Sequence, residues 1–341
     1  MRKNITGIIF LILIATSAVS YADERHGPEW LDMTIGARAT ALGKAFAAFA
    51  DDATTAFNNP GGLPNIFSGA TDNKMWISAS YSNIPDKRNL GAFTTAFKIK
   101  NWAFAVSGIY TRGINEYSPY RGVDGAGDTY RLPGDGGQDY AYMPMISFAT
   151  TLPDNETISF GGSVKFFKEK ADGVKGSGMM FDFGGYIQVM NLISIGFVIQ
   201  NMGFVKYDDM KTRFAAPTVK AGIGYNPLSR RNFALCVHIE RDFGSSDEKY
   251  IGSGGLFIAV WSKDYLSSSS RDPEAIDSDS GSAPRKKVLY NAVYLNFGFH
   301  GKELTMGTTF YLFGFKLDYG FAIHSTRTNE YSHHVTLERR F

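Results

Sequence analysis

The sequence predicts an all-β protein, a transmembrane antiparallel β-barrel of about 14 strands with a small N-terminal helical hatch or plug. Three observations predict it. A secretory leader opens the chain, period-two strands fill almost everything after residue 74, and no later apolar run is long enough for a spanning helix. Inside a bilayer only helices and closed barrels satisfy every backbone N–H and C=O. An exported chain with alternating strands and no spanning helix therefore resolves to a barrel.

The leader has three parts. Arg2 and Lys3 are basic, Ile8 through Val19 are mostly apolar, and Ser20-Tyr21-Ala22 puts small residues at the two positions a signal peptidase reads. Cleavage is expected after Ala22. No cysteine lies near that point, which argues against a lipoprotein. The expected organisation is a signal peptide over 1–22, a hatch over 23–73 and a barrel over 74–341. The expected location is the outer membrane of a bacterial cell.

Composition narrows the class further. The net charge of +2 offers no field for nucleic acid. Cys236 is the sole cysteine, so the chain can form no internal disulfide and no cysteine-based metal site. The 37 glycines and the 14% aromatic content, with 27 Phe and 18 Tyr, are too high for an ordinary soluble surface.

The strands carry the weight. In 157–166, Ile158, Phe160, Gly162, Val164 and Phe166 share one face, while Thr157, Ser159, Gly161, Ser163 and Lys165 share the other. One face suits lipid and the other a wet lumen. Met75, Ile77, Ala79 and Tyr81 alternate with Trp76, Ser78, Ser80 and Ser82, and comparable runs start near Thr218 and Leu304. The expected strands are 74–83, 89–99, 101–112, 138–151, 156–169, 177–189, 192–202, 215–226, 231–243, 250–262, 286–299, 302–312, 313–325 and 330–341. In the last one Val335, Leu337 and Phe341 share the lipid face, and a terminal aromatic of this kind is expected to engage the barrel-assembly machinery.

The connections divide by length. Pro153-Asp154-Asn155 and Asn226-Pro227-Leu228 read as tight turns, whereas 113–137 and 262–287 are long. Outer-membrane barrels gather their long loops on one side. A strict up-and-down count puts these two long loops on opposite sides. Either the count is off by one or one long loop lies inside the barrel.

Residues 29–72 do not alternate. Gly36-Ala37-Arg38-Ala39-Thr40-Ala41-Leu42-Gly43-Lys44-Ala45-Phe46 is rich in small residues. Asp51 or Asp52 is placed to cap a short helix over Ala53 to Phe57, which Asn59-Pro60-Gly61-Gly62 then breaks. This block resembles the FadL-like outer-membrane barrels, and most closely their PorV/PorQ-like branch. Those proteins carry a Gly-Ala-Arg-Ala run, an Ala-Asp-Asp step and an Asn-Pro-Ala-Gly-Leu turn. Here Gly61 stands where the family usually has Ala.

The resemblance implies a barrel with an N-terminal hatch containing Asn59, Pro60 and Gly61, and one of two roles. FadL-like members pass long-chain fatty acids or other hydrophobic molecules across the outer membrane. PorV-like members hold secreted cargo proteins at the cell surface for type IX secretion. For passage, the candidate lining of a hydrophobic site is Phe46, Phe49, Phe57 and Leu63, beside the Asn59-Pro60-Gly61 turn. For cargo, the loop bearing Tyr117, Tyr120, Arg121 and Tyr130 is the candidate contact surface. The remaining partner expected is the outer-membrane lipid.

Chemical sites find no support. Asp124-Gly125-Ala126-Gly127-Asp128 lacks the ligand spacing of a calcium loop. His333 and His334 point to opposite faces of one strand, and Asp51 and Asp52 make a catalytic pair only if they face one another. No nucleophile elbow, P-loop or zinc signature occurs. The expectation is a protein that is not an enzyme and carries no cofactor and no metal.

Overall fold

The computed structural model describes residues 29–67, 74–84, 88–114, 117–123, 129–133, 138–152, 155–171, 173–189, 192–208, 212–225, 233–243, 250–266, 288–324 and 330–341. The leader over 1–22 lies outside them.

The wall is one closed antiparallel sheet. Its strands are β1 (Met75–Ile84), β2 (Arg88–Ile99), β3 (Trp102–Ile114), β6 (Gln138–Leu152), β7 (Asn155–Ala171), β8 (Val174–Val189) and β9 (Ile193–Tyr207). The second half is β10 (Arg213–Ala215) with β11 (Thr218–Tyr225), β12 (Phe233–Asp242), β13 (Tyr250–Leu266), β14 (Val288–His300), β15 (Glu303–Leu312), β16 (Phe315–His324) and β17 (Glu330–Arg340). β10 and β11 both pair with β9 and form one strand broken at Ala216-Pro217, so the ring has 14 strands. It closes where β1 pairs with β17, Ala79 opposite Leu337. The remaining strands, β4 (Tyr117–Val123) and β5 (Thr129–Pro133), form a hairpin outside the ring.

The predicted alternation holds along the wall. Phe93, Val106, Ile146, Phe160, Phe204, Ile223, Val237, Leu304 and Leu337 are exposed outward, while Ser78, Thr94, Ser107, Ser147, Ser163, Asp182, Asn296, Thr309, Asp318 and Thr336 are buried inward. Burying the polar set and exposing the apolar one inverts the distribution of a water-soluble protein. It is the distribution that a hydrocarbon surrounding stabilises. Exposed aromatics mark both edges of the apolar band, with Tyr81, Tyr110, Tyr140 and Tyr331 towards one rim and Trp102, Phe313 and Phe341 towards the other.

Strand direction settles the loop question. β3 and β17 run in opposite senses. The connection after β3, which carries the β4–β5 hairpin, therefore leaves the rim opposite the one where β1 begins and β17 ends. The connection from β13 to β14 leaves that second, chain-end rim. The strand count is not off by one, and the two long connections depart from opposite rims, contrary to the one-sided pattern expected. Residues 267–287 themselves, and the turns expected at 153–154 and 226–228, lie outside the described residues.

Residues 29–67 fill the lumen. They form a 3-10 turn (Glu29–Asp32), two short helices (Ala37–Ala41 and Thr55–Asn58) and a longer 3-10 segment (Pro60–Phe67). The expected cap appears in modified form. The carboxylate of Asp52 accepts hydrogen bonds from the Thr54 N–H (2.9 Å) and hydroxyl (2.5 Å), just ahead of the second helix. Both helices are too short to stand alone, so their stability comes from the wall around them.

Glycines let the plug backbone touch that wall. A Cβ at Gly196, Gly298 or Gly320 would collide with the plug backbone at Ala47, Gly43 and Ala37 respectively. The glycine-rich composition therefore has a packing cause. A wall lined by larger residues at these positions would hold the plug away.

Candidate functional site

The plug is fastened by its backbone. Wall hydroxyls bond to it at Ala37 N (Thr336, 2.9 Å), Gly43 N (Thr305, 3.1 Å), Ala48 O (Ser194, 2.6 Å) and Gly61 O (Ser159, 2.6 Å). The side-chain amide of Gln200 donates to Phe57 O at 2.7 Å. These contacts satisfy backbone groups that short helices and turns leave open.

The Asn59-Pro60-Gly61 turn is the best-anchored piece. Asn59 is fully buried. Its amide donates to Ala47 O (2.7 Å) and to Gly185 O of β8 (3.2 Å), while its carbonyl oxygen accepts the Gly61 N–H (3.0 Å). One side chain thus closes the turn, ties two plug segments together and docks both on the wall. A Cβ at Gly61 would lie 2.5 Å from the Gly184 carbonyl oxygen, so in this chain the backbone of β8 sits where the alanine usual at this position would project.

The candidate hydrophobic residues fall into two groups. Phe46 and Phe49 pack with Leu42, Phe257 and Tyr294 against the β12–β14 side. Phe57 and Leu63 join Trp30, Ile35, Ile66 and Phe67 against the opposite side. All four are buried, and the structure does not gather them into one lining. The Pro60 carbonyl lies against Gly161 of β7.

The wall behind the second group has an unexpected character. Leu90, Ile109, Met143, Met145, Phe167, Met180 and Val205 all face inward and form one cluster with the plug. An apolar sector therefore runs up the inside of β2, β3 and β6–β9. Among the described residues the rest of the lumen face is mostly polar, apart from the Phe257 and Tyr294 side that packs Phe46 and Phe49. At the top of this sector Trp30 donates to the Glu169 carboxylate at 2.8 Å and meets Phe167 edge-on at 6.0 Å. It roofs a cavity of about 20 Å³ lined partly by Arg88, Asp139 and Glu169, room for about one water. The sector is covered as it stands.

A buried charge cluster locks the plug on the other side. Lys316 of β16 lies 2.7 Å from Asp52 of the plug, 3.0 Å from Asp318 and 3.2 Å from Glu338. The three carboxylates lie close enough to hold a metal ion. The Lys316 ammonium already sits against each of them and supplies the countercharge. Burial alone would push the Asp52 carboxyl up. The Lys316 ammonium, the Lys316 and Thr54 hydrogen bonds and the Arg38 charge outweigh that and hold it below the usual carboxylate range. Asp51 turns away from Asp52 and pairs with Arg38 at 2.6 Å, so the two do not form a carboxylate pair. The Arg38 guanidinium lies over the rings of Phe49 and Phe257 at 5.4 and 4.8 Å.

A second lumenal group is richer in histidine. Glu240 lies between His238 (3.2 Å) and His300 (3.4 Å), with Lys220 at 3.5 Å. Glu303 pairs with Lys44 of the plug at 2.9 Å and with His324 at 2.8 Å. Sequence reasoning placed Lys165 on the lumen face but missed these groupings. The signal available was a charged residue at an inward position in mid-strand, which a wall costs energy to bury without a partner. His334 points inward and His333 outward, as their spacing requires.

No protein-family profile and no curated protein sequence matches the chain. Solved structures do. The toluene transporter TbuX of Ralstonia pickettii is 12% identical with a TM-score of 0.53, over 90% of this chain and 98% of that one. The chain has the fold of these channels. The monoaromatic hydrocarbon channel CymD gives 11% identity and a TM-score of 0.53, over 90% and 97% of the two chains. A FadL homologue of Pseudomonas aeruginosa gives 9% and 0.50, over 91% and 98%. At such identities the likeness is one of architecture, and sites must be argued from this chain's own residues.

Proposed function

We propose that this barrel passes hydrophobic small molecules across the bacterial outer membrane. One observation carries the reading, the inward apolar sector from Leu90 and Ile109 through Met143 and Met145. These residues pack the plug as it stands, and in a barrel that conducts only polar solutes they would face water whenever the plug moves. A hydrophobic molecule needs such a surface to leave water, and the sector offers one along the wall. The plug covers it through Trp30, Phe57 and Leu63, so passage requires that half of the plug to shift. The fold shared with hydrocarbon channels supports the reading, and monoaromatic hydrocarbons and long-chain fatty acids are both substrates to test.

Mass spectrometry of the barrel purified in mild detergent tests the proposal. A hydrophobic molecule should co-purify, and replacing Met143 and Met145 with Glu should abolish its retention. Equal retention by that variant would remove the sector from the account.

A second reading, that the barrel holds secreted cargo in type IX secretion, is favoured by the β4–β5 hairpin added beyond the ring. Deleting residues 115–137 would abolish cargo capture under this reading and leave co-purification of the small molecule intact under the first.

A further inference from the structure

The outward face of β3 and β6–β9 carries its cations together. Arg112 of β3, Lys168 and Lys170 of β7, Lys175 of β8 and Lys206 of β9 all alternate with residues that face the lumen, so they project from the outside of the wall. The pairing register gathers them. Arg112 stands opposite Tyr140, Tyr140 opposite Lys170, and Lys170 opposite Lys175. In the next outward row Tyr110 stands opposite Tyr142, Tyr142 opposite Lys168, Lys168 opposite Ser177, and Ser177 opposite Lys206. At the usual spacing of strands the patch is roughly 20 Å wide.

These cations stand where the apolar band ends. Phe166 is the next outward residue below Lys168, Phe204 below Lys206 and Tyr110 below Arg112, and all three rings are exposed. The rim is the one away from the start of β1 and the end of β17. Lys170 and Lys175 face each other directly, and like charges so placed destabilise a strand pair unless an anion lies between them. The wall is short of such anions. Among the described residues near this rim on these strands, Asp139 and Glu169 are buried on the lumen face, and the Asp208 carboxylate accepts the Lys175 N–H at 3.2 Å. In the other direction the row runs from Arg112 through Asn89, Asn83, His333 and Phe321 without a further lysine or arginine, so the charge belongs to one sector.

We propose that this sector binds the phosphorylated headgroup of lipopolysaccharide, with Arg112, Lys168, Lys170, Lys175 and Lys206 against its phosphates and Phe166 and Phe204 against its acyl chains. A chain inserted from the periplasm leaves its ends on the periplasmic side, so the cationic rim meets the outer leaflet. Lipopolysaccharide fills that leaflet, and its lipid A carries phosphates on two sugars. Two phosphates suit cations spread over this width better than one does. Each lysine or arginine near an anionic lipid surface adds to the attraction, and the tyrosines between them sit at the level of the headgroups. The site lies outside the ring and does not depend on what passes through the lumen.

Native mass spectrometry of the whole barrel, stripped of lipid in mild detergent, tests the site. The probes are bisphosphorylated lipid A, lipid A with both phosphates removed, and phosphatidylglycerol. The wild type should bind the bisphosphorylated form about tenfold or more tightly than either of the others. A variant carrying Lys168→Gln, Lys170→Gln, Lys175→Gln and Lys206→Gln should lose that preference while keeping the heat-modifiable mobility of a closed barrel. Equal binding of the two forms of lipid A by the wild type, or an undiminished preference in a closed variant, would overturn the proposal. Phosphatidylglycerol held as tightly as bisphosphorylated lipid A would overturn it as well, since the rim would then respond to charge alone. The comparison of lipids on the wild type needs no variant, so a variant that fails to close leaves the test standing.

Discussion

The Lys316 ammonium of the barrel wall lies 2.7 Å from the Asp52 carboxylate of the plug, with both side chains almost wholly buried. The contact joins residues 264 positions apart and fixes where the plug meets β16. Lys316 has two further carboxylates, so losing Asp52 leaves it paired, and the cost falls mainly on the plug. Asp52→Asn should weaken plug docking by about 1–2 kcal/mol, less than the loss of a buried ion's sole partner. Because the Asp52 carboxyl is held below its usual range, its contribution is full at neutral pH and is lost only as pH falls below that range. Protease nicking of the plug should therefore rise in the variant near pH 7, and the difference from wild type should shrink as pH falls below the usual carboxylate range.

Asn59→Ala should cost about 3 kcal/mol of plug docking. It leaves the Ala47 and Gly185 carbonyls and the Gly61 N–H without the buried amide that joins them. Hydrogen exchange over 47–62 reads the effect directly. Asn59→Asp should restore only the bond from Gly61, since a carboxylate cannot donate to the two carbonyls.

Gly61→Ala, the residue usual in the resembling family, should destabilise this plug by about 1–3 kcal/mol, because the wall backbone of β8 leaves no room for the methyl group. Electrophoretic mobility without heating should stay that of a folded barrel, with the plug alone loosened. A fully stable plug in this variant would mean that β8 yields.

Removing Phe341 should impair closure of the ring. Its N–H donates to Met75 O at 2.8 Å, and its carbonyl oxygen accepts from Lys74 and Met75 at 2.9 and 3.2 Å, at the seam between the last strand and the first. Synthesis and export should persist while the fraction of heat-modifiable, closed barrel falls. We further expect recognition by the assembly machinery to depend on this residue.

Much of the wall was legible because a barrel strand writes its orientation into every second residue. Each of the 14 expected strands appears, with ends shifted by a few residues. β9 runs on to Tyr207 where the sequence suggested an end near 202. At Asn201, which has a positive φ of 62°, the ladder is interrupted, and the Asp182 carboxylate takes over the Asn201 N–H at 2.9 Å. A reader of alternation takes such a slip for a terminus. The plug was legible in kind but not in detail. Its small residues and the Asn59 turn announced close packing, yet its contacts join positions hundreds of residues apart, such as Asp52 with Lys316. No local period encodes those. The apolar lumen sector was hidden for a related reason. Met143 and Met145 lie between the outward Tyr142, Pro144 and Ile146, so over that stretch both faces are apolar and alternation gave no sign of which way they pointed.

The central claim is that hydrophobic molecules use the inward apolar sector. Its most direct measurement is uptake by intact cells, because lipopolysaccharide in the outer leaflet slows such molecules where a phospholipid vesicle would not. Cells lacking their own hydrophobic channel and expressing this barrel should take up labelled toluene or a labelled long-chain fatty acid faster than cells without it, and Met143→Glu with Met145→Glu should abolish the gain. Uptake no faster than in cells without the barrel, from a barrel shown to be folded in their outer membrane, would contradict it.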